Sequence, residues 1–425
     1  MAERGTADRS LRGTQRGVGL PAVVSLLLGT LGISLAYGML LLLPLYVQEL
    51  GGNEASFGVV LSSAAVPAVV CIGLLIRFPE TFRPHWVVAV AIGIYGLGTA
   101  GTFLVGGTWT PLIGIGVLLG TAWAVVYTVT PMVMSEMVTD EGRATYFGYL
   151  TGTQQVGIGA GPVLAGLLVG SGLGYEETFL TAGIICAAAV VFTVAVAFIT
   201  PDRRVDREVE GPAGDLGTEI NREEVSAGEA LRKMAGSEAV YYLIIVLLFA
   251  CLFTSMTQFQ TTFAAAQDLD YSVFYITYTV AVIASRFGLA SWASRFDPSL
   301  VIAVSVSVMA LAVASFLLIG SSLLAYGIAS AFVGLGYGLA LPTAQAQAVN
   351  VSEELVRPRV LPVAGLVFQG AILAFPLVAG WIIAGFGYGT LFIVLVSFAL
   401  IQAVIGWWRF MGARNSGPVG GKTTG

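Results

Sequence analysis

PDRRVDREVEGPAGDLGTEINREEVSAGEALRKMAGSE, residues 201–238, holds sixteen of the forty-five Asp, Glu, Lys and Arg residues in a sequence of 425. On either side lie about two hundred residues of almost uninterrupted apolar sequence. Charged residues make up 11% of the whole, hydrophobic residues 56%, and mean hydropathy is +0.86. A soluble chain carries roughly a quarter charged residues, so no soluble surface can be built from this composition. The apolar runs match the about 20 residues that one membrane helix needs. The period-2 alternation of barrel strands is absent. The fold class is therefore all-α and membrane-spanning, with a polar linker in the middle.

Twelve helices are expected, at 20–48, 56–77, 86–108, 111–137, 144–170 and 177–200 before the linker. After it they fall at 239–265, 271–293, 299–319, 322–348, 361–384 and 388–411. This divides the chain into a basic arm (1–19), a six-helix bundle (20–200), the linker (201–238), a second bundle (239–411) and a tail (412–425). Within the linker, 221–234 has the pattern of an amphipathic surface helix. With the N-terminus in the cytoplasm, nineteen of the twenty Lys and Arg fall on the cytoplasmic side, as the positive-inside rule requires. The outer loops carry only acids: Glu49, Glu54, Glu176, Glu177, Asp268 and Asp270. One missed helix would scramble that partition, so it supports both the count and a multi-pass cell-membrane topology with both termini inside.

The two halves repeat. Gln155, Pro162 and Gly166 recur as Gln369, Pro376 and Gly380 at an offset of 214. Gly116 and Gly120 recur as Gly334 and Gly338 at 218, as does the pair Arg77-Phe78 in Arg295-Phe296. The change in offset implies an indel of one helical turn.

Two pseudo-symmetric six-helix bundles around a long central loop resemble the major facilitator superfamily of secondary transporters. The resemblance covers the whole chain and implies a central cavity exposed alternately to each side. Gly157-Ile-Gly159-Ala-Gly161-Pro162, followed by Gly166, looks like that family's antiporter motif, which favours export. Small residues at this spacing let a neighbouring backbone come close, and Pro162 removes a backbone donor and bends the helix. The second copy has Phe375 where a glycine is expected. The family's 2–3 loop signature is degraded, because Leu74, Arg77 and Phe78 fit while Ile76 replaces the acid and Pro79 the glycine. A substitute inner gate is read from Glu136 with Arg77, Arg143, Arg295 and Arg357. Solvated loop charges are the plainer reading of the same residues.

Arg286 is the twentieth basic residue, placed about ten residues inside the inner end of helix 8. An arginine within a membrane segment is a functional hypothesis by default. It suits an anionic substrate; a structural role, bonded to helix carbonyls, is the alternative. Tyr37, Trp123, Tyr127, Gln155, Gln258, Tyr278, Tyr337 and Gln369 are further cavity candidates. Their aromatic and amide character suits an amphiphilic ligand better than a sugar. No Asp or Glu falls at mid-membrane, so a coupling proton has no obvious carrier.

Three cysteines inside apolar runs, Cys71, Cys186 and Cys251, without ligand spacing, and a single histidine, His85, argue against a metal site. No catalytic constellation is present, and no cofactor is expected. The reading is a monomeric exporter of a small amphiphilic organic compound, an antiporter in the lipid bilayer of the plasma membrane. One rival is an importer or uniporter of a small organic anion held by Arg286. Another is a non-transporting membrane sensor of the same fold.

Overall fold

The computed structural model describes residues 19–77, 82–138, 142–199, 232–354 and 356–415. The arm up to residue 18, linker residues 200–231 and the tail from 416 lie outside the described residues, as does most of the expected linker helix. Every regular element described is helical. We label them by pass: α1 (Leu20–Glu49), α2 (Glu54–Ser62 and Ala65–Arg77), α3 (Pro84–Gly101), α4 (Leu112–Met137), α5 (Arg143–Gly170) and α6 (Tyr175–Ile199). The second half has α7 (Ala239–Gln258 and Gln260–Ala266), α8 (Tyr271–Ala293), α9 (Pro298–Ser315) and α10 (Leu323–Asn350). The final helical stretch, Arg357–Asn415, divides at Gly387 into α11 (357–386) and α12 (388–415).

Among the described residues, ten helices are long and apolar enough to cross a membrane. The last of these ten is α11 and α12 together. The one left out is α5, which is long enough but rich in Gly, Thr, Gln and Tyr. Counting both makes twelve passes among the described residues. The polarity of α5 follows from its position, since it packs against α1 in its own half and α8 in the other. Its outward positions keep large apolar or aromatic groups, with Tyr149 50%, Val156 45% and Leu167 67% exposed. Lipid-facing positions elsewhere keep large apolar groups outside, such as Leu97, Leu104, Leu311 and Leu318, each more than 70% exposed.

In hydrocarbon, backbone groups must be satisfied within the segment, which selects helices. Hydroxyls inside the spans follow the same rule by bonding back one turn: Thr30 Oγ1 donates to Leu26 O (2.8 Å) and Ser330 Oγ to Tyr326 O (2.6 Å). Gln402, fully buried, donates through Nε2 to Ile245 O (2.8 Å) and ties α12 to α7. At the end of these two helices Arg409 pairs with Glu238. That hydrogen bond holds the exposed Glu238 carboxyl below its ordinary value.

The turn between α11 and α12 rests on one residue. Gly387 sits at φ 80°, ψ 170° with open space around it, a region that is essentially glycine-only. Gly387→Ala is therefore a purely conformational substitution. It should cost about 1–3 kcal/mol, read as a lower midpoint of thermal unfolding in detergent. An unchanged midpoint would mean that the turn relaxes into another conformation.

The internal repeat is also a repeat of contacts. Gly116 of α4 packs on the Val60 carbonyl of α2, and Gly334 of α10 packs on the Tyr278 carbonyl of α8. Residues 60 and 278 are themselves separated by the 218-residue offset that relates the two glycines. Across the halves, Gly166 of α5 meets Tyr271 of α8, while Gly380 of α11 meets the Glu54 carbonyl of α2.

Candidate functional site

Between the halves lies a cavity of about 650 Å³. Its lining reaches Ser294, Phe296 and Pro298 between α8 and α9 and Asn350 at the end of α10. The mouth therefore opens at the end of the bundle where α1 begins and α12 finishes.

The opposite end is shut by contacts between halves. Gln258 Nε2 donates to Tyr37 Oη (2.8 Å), and Thr261 Oγ1 donates to Leu41 O (3.2 Å), joining α7 to α1. Ser62 of α2 donates to Ala374 O (3.3 Å) and accepts from Leu377 N (3.0 Å) on α11. Phe57 meets Phe259 edge-on at 5.3 Å. Farther out, Tyr388 donates to Glu54 (3.1 Å). The bundle is thus closed at one end and hollow at the other.

The cavity walls are aromatic. From the first half, Tyr37 stacks on Trp123 with centroids 3.9 Å apart and planes 17° apart, and Tyr127 lies 6.3 Å beyond. From the second half, Tyr337 stacks on Phe253 at 4.8 Å and 18°, with Phe368 at 6.2 Å from Phe253. Gln155 and Gln369 complete the wall on α5 and α11. The Gln155 Nε2 group is buried and has no hydrogen-bond partner among the described residues.

Arg286 lines the same space, nearer the end of its helix than the about ten residues expected, although the span itself, 271–293, is the one expected. It stands seven residues before α8 ends at Ala293, and it is only partly buried. The helix loosens there into a π-turn over Ser285–Leu289, an irregularity frequent at functional sites. The turn sends Phe287 onto α5, where it lies against Gly152, while Arg286 remains on the cavity side. The Arg286 guanidinium carbon sits 6.0 Å from the Tyr337 ring centroid, within cation–π range. Its Nε is buried with no hydrogen-bond partner among the described residues. Among the described residues no Asp or Glu lines the cavity.

Two other candidates lie off the wall. Tyr278 is behind Tyr337, 6.0 Å away, and stacks on Phe274 at 5.5 Å. Gln258 is above the cavity and already engaged with Tyr37. Gln154, Gln345, Gln347 and Asn350, outside the candidates expected from sequence, also line the cavity. The pattern Gln345-Ala-Gln347 followed by Asn350, three amides near the end of a membrane helix, was the available signal.

The glycine motif of α5 serves two neighbours. Gly157 and Gly161 face Ser34, Leu35, Gly38 and Met39 of α1, whereas Gly159 and Gly166 face Thr279 and Tyr271 of α8. Pro162 lies between them within the helix. Phe375 in the second copy packs on Phe398 of α12. Of the proposed gate charges, Glu136, Arg295 and Arg357 are exposed near the mouth, and the side chains of Arg77 and Arg143 lie outside the described residues. Among the described residues no three metal-ligating side chains come together.

The family model of the Major Facilitator Superfamily matches residues 26–355. No curated protein matches the sequence. Among solved structures, the nucleoside transporter NupG is similar at 16% identity and TM-score 0.68, covering 92% of this chain and 99% of its own. A bacterial homologue of the human lysosomal transporter Spinster, inward-facing and unoccupied, is similar at 14% identity and TM-score 0.67, covering 92% and 96%. The human organic anion transporter MFSD10 is similar at 15% and 0.57, covering 91% and 99%. At these identities the likeness is one of fold.

Proposed function

This chain belongs to the Major Facilitator Superfamily, and we propose that it exports a small amphiphilic organic solute across the cell membrane by alternating access. The observation that carries this reading is the one-ended cavity walled by two stacked aromatic pairs and by amides. Flat apolar surfaces at Trp123 and Tyr337 receive the body of the solute. Amide groups such as Gln155 and Gln369 orient its polar part. The direction rests on the glycine motif of α5. The distribution of basic residues supports cytoplasmic termini and a cytoplasmic cavity mouth, and the protein works as a monomer. Glu136, Arg295 and Arg357, with Arg77 and Arg143, form the inner gate when that mouth closes.

The test is solute movement into energised inside-out vesicles, with a panel of amphiphilic dyes and a simultaneous record of the pH gradient. Uptake that depends on the protein is expected. A gradient that collapses with it identifies proton antiport. Trp123→Ala removes one face of the site and should raise the half-saturating solute concentration tenfold or more, about 1.4 kcal/mol. Uptake that is the same in vesicles with and without the protein, for every solute of the panel, would reject export.

A second reading, movement of an organic anion, is favoured by one specific observation. Among the described residues Arg286 is the only Lys, Arg, Asp or Glu lining the cavity.

A further inference from the structure

The cavity contains a charge that no described lining residue balances. Arg286 faces it from the π-turn of α8, and the nearest π-surface is Tyr337, a neutral group. Among the described residues no carboxylate lines the space. Two buried donors, Arg286 Nε and Gln155 Nε2, stand without an acceptor among the described residues. A site with donors to spare and no acid is chemically an anion receptor.

The consequence is energetic and concerns the empty protein. While the mouth is open, water enters and hydrates the guanidinium. Closing the mouth requires much of that water to leave, and an unpaired cation is costly to desolvate. The aromatic walls supply no acceptor to replace the water. A bound anion removes the difficulty, because a carboxylate presents two oxygens to the guanidinium fork and the pair enters the closed state together.

We propose that Arg286 is a charge lock that holds the empty carrier open at its mouth, so that turnover requires an organic anion with a planar apolar body, and the protein exchanges one such anion for another. This rests on the transport reading above and narrows its substrate class. It also assigns a reason for the absence of Asp and Glu at mid-membrane, since the anion itself releases the lock and no protonated side chain is needed for that step.

The test needs no transported solute. In a background with Cys71, Cys186 and Cys251 replaced by alanine, single cysteines report on the two ends. Asn350→Cys marks the mouth, and Thr261→Cys marks the sealed end, where Thr261 is fully buried against Leu41. Labelling rates with a membrane-impermeant maleimide are compared in purified protein. With Arg286 present, Asn350→Cys should react fast and Thr261→Cys slowly. Arg286→Met should raise the Thr261→Cys rate at least tenfold, about 1.4 kcal/mol in the equilibrium between states, and slow the Asn350→Cys rate. Arg286→Lys keeps the charge and should keep the original pattern. Unchanged rates in Arg286→Met, or equal shifts in Arg286→Met and Arg286→Lys, would overturn the lock. With Arg286 intact, 1-naphthoate should produce the same shift as Arg286→Met, and the neutral 1-naphthamide should not. A response to both probes or to neither overturns the assignment to anions. Failure of export in vesicles with a positive labelling result would reject the direction while leaving the lock in place.

Discussion

Gly58→Val is expected to open the sealed end of the protein. A Cβ at Gly58 would lie 2.5 Å from Pro376 O and 3.1 Å from Leu377 Cα. Both are backbone atoms of α11 in the other half, so no side-chain rotation relieves the overlap. Separation of α2 from α11 does relieve it, and that separation is the opening movement itself. Overpacking of this kind costs about 1–3 kcal/mol, enough to shift an equilibrium between states about 5- to 150-fold. The measurement is thiol labelling of Thr261→Cys, which should accelerate in the valine variant while thermal stability changes little. The neighbouring hydrogen bonds of Ser62 to Ala374 and Leu377 would be broken by the same displacement. A drop in stability without any change in labelling would show that α2 deforms locally and that the seal does not depend on this contact.

Gly161→Val should instead cost stability. Gly161 faces the backbone of Gly38 and Met39 in α1, with Met39 N only 2.5 Å from where a Cβ would stand. The approach is reciprocal, since a Cβ on Gly38 would stand 2.6 Å from Ile158 O. α1 and α5 belong to the same half, and no transport movement separates them. Two backbones in contact across small residues gain their stability from dispersion and close packing, with little hydrophobic driving force between helices in lipid. Forcing them apart along that seam should cost about 3 kcal/mol or more, seen as a large fall in thermal midpoint or a loss of monodisperse protein. Gly114→Ala on α4, where a Cβ meets nothing within 4 Å, serves as the control and should be neutral or slightly stabilising. A Gly161→Val protein as stable as the control would refute the close-packed seam. Gly159→Val, two residues away but facing Thr279 of α8, should behave like Gly58→Val, because its neighbour lies in the other half.

The helices were legible because membrane thickness imposes a length and loops interrupt it with charge. Spans at 271–293, 112–137 and 143–170 fall within a residue of the sequence expectation. The repeat was legible as well, since an offset read from glycines maps the contacts of α4 on α2 onto those of α10 on α8. The cavity wall was legible only in part. In a soluble helix the polar face marks solvent and the apolar face marks the core. In a membrane helix lipid and core are both apolar, and that signal disappears. Tyr278 and Tyr337 look alike in sequence, yet one is packed behind the other. Gln155 and Gln258 are both mid-helix amides, yet one has a free donor on the wall and the other joins the halves above it.

Composition, span length and charge distribution thus determined from sequence alone that this is a twelve-pass helical membrane protein built from two copies of one unit. Those properties belong to single segments and to their order. Tertiary structure alone decided which end is open, which glycines hold one half together and which divide the two, and that Arg286 faces the cavity with no counter-charge among the described lining residues. Those depend on how each helix is rotated about its own axis, and apolar surroundings on every side leave that rotation to be settled by contact between helices.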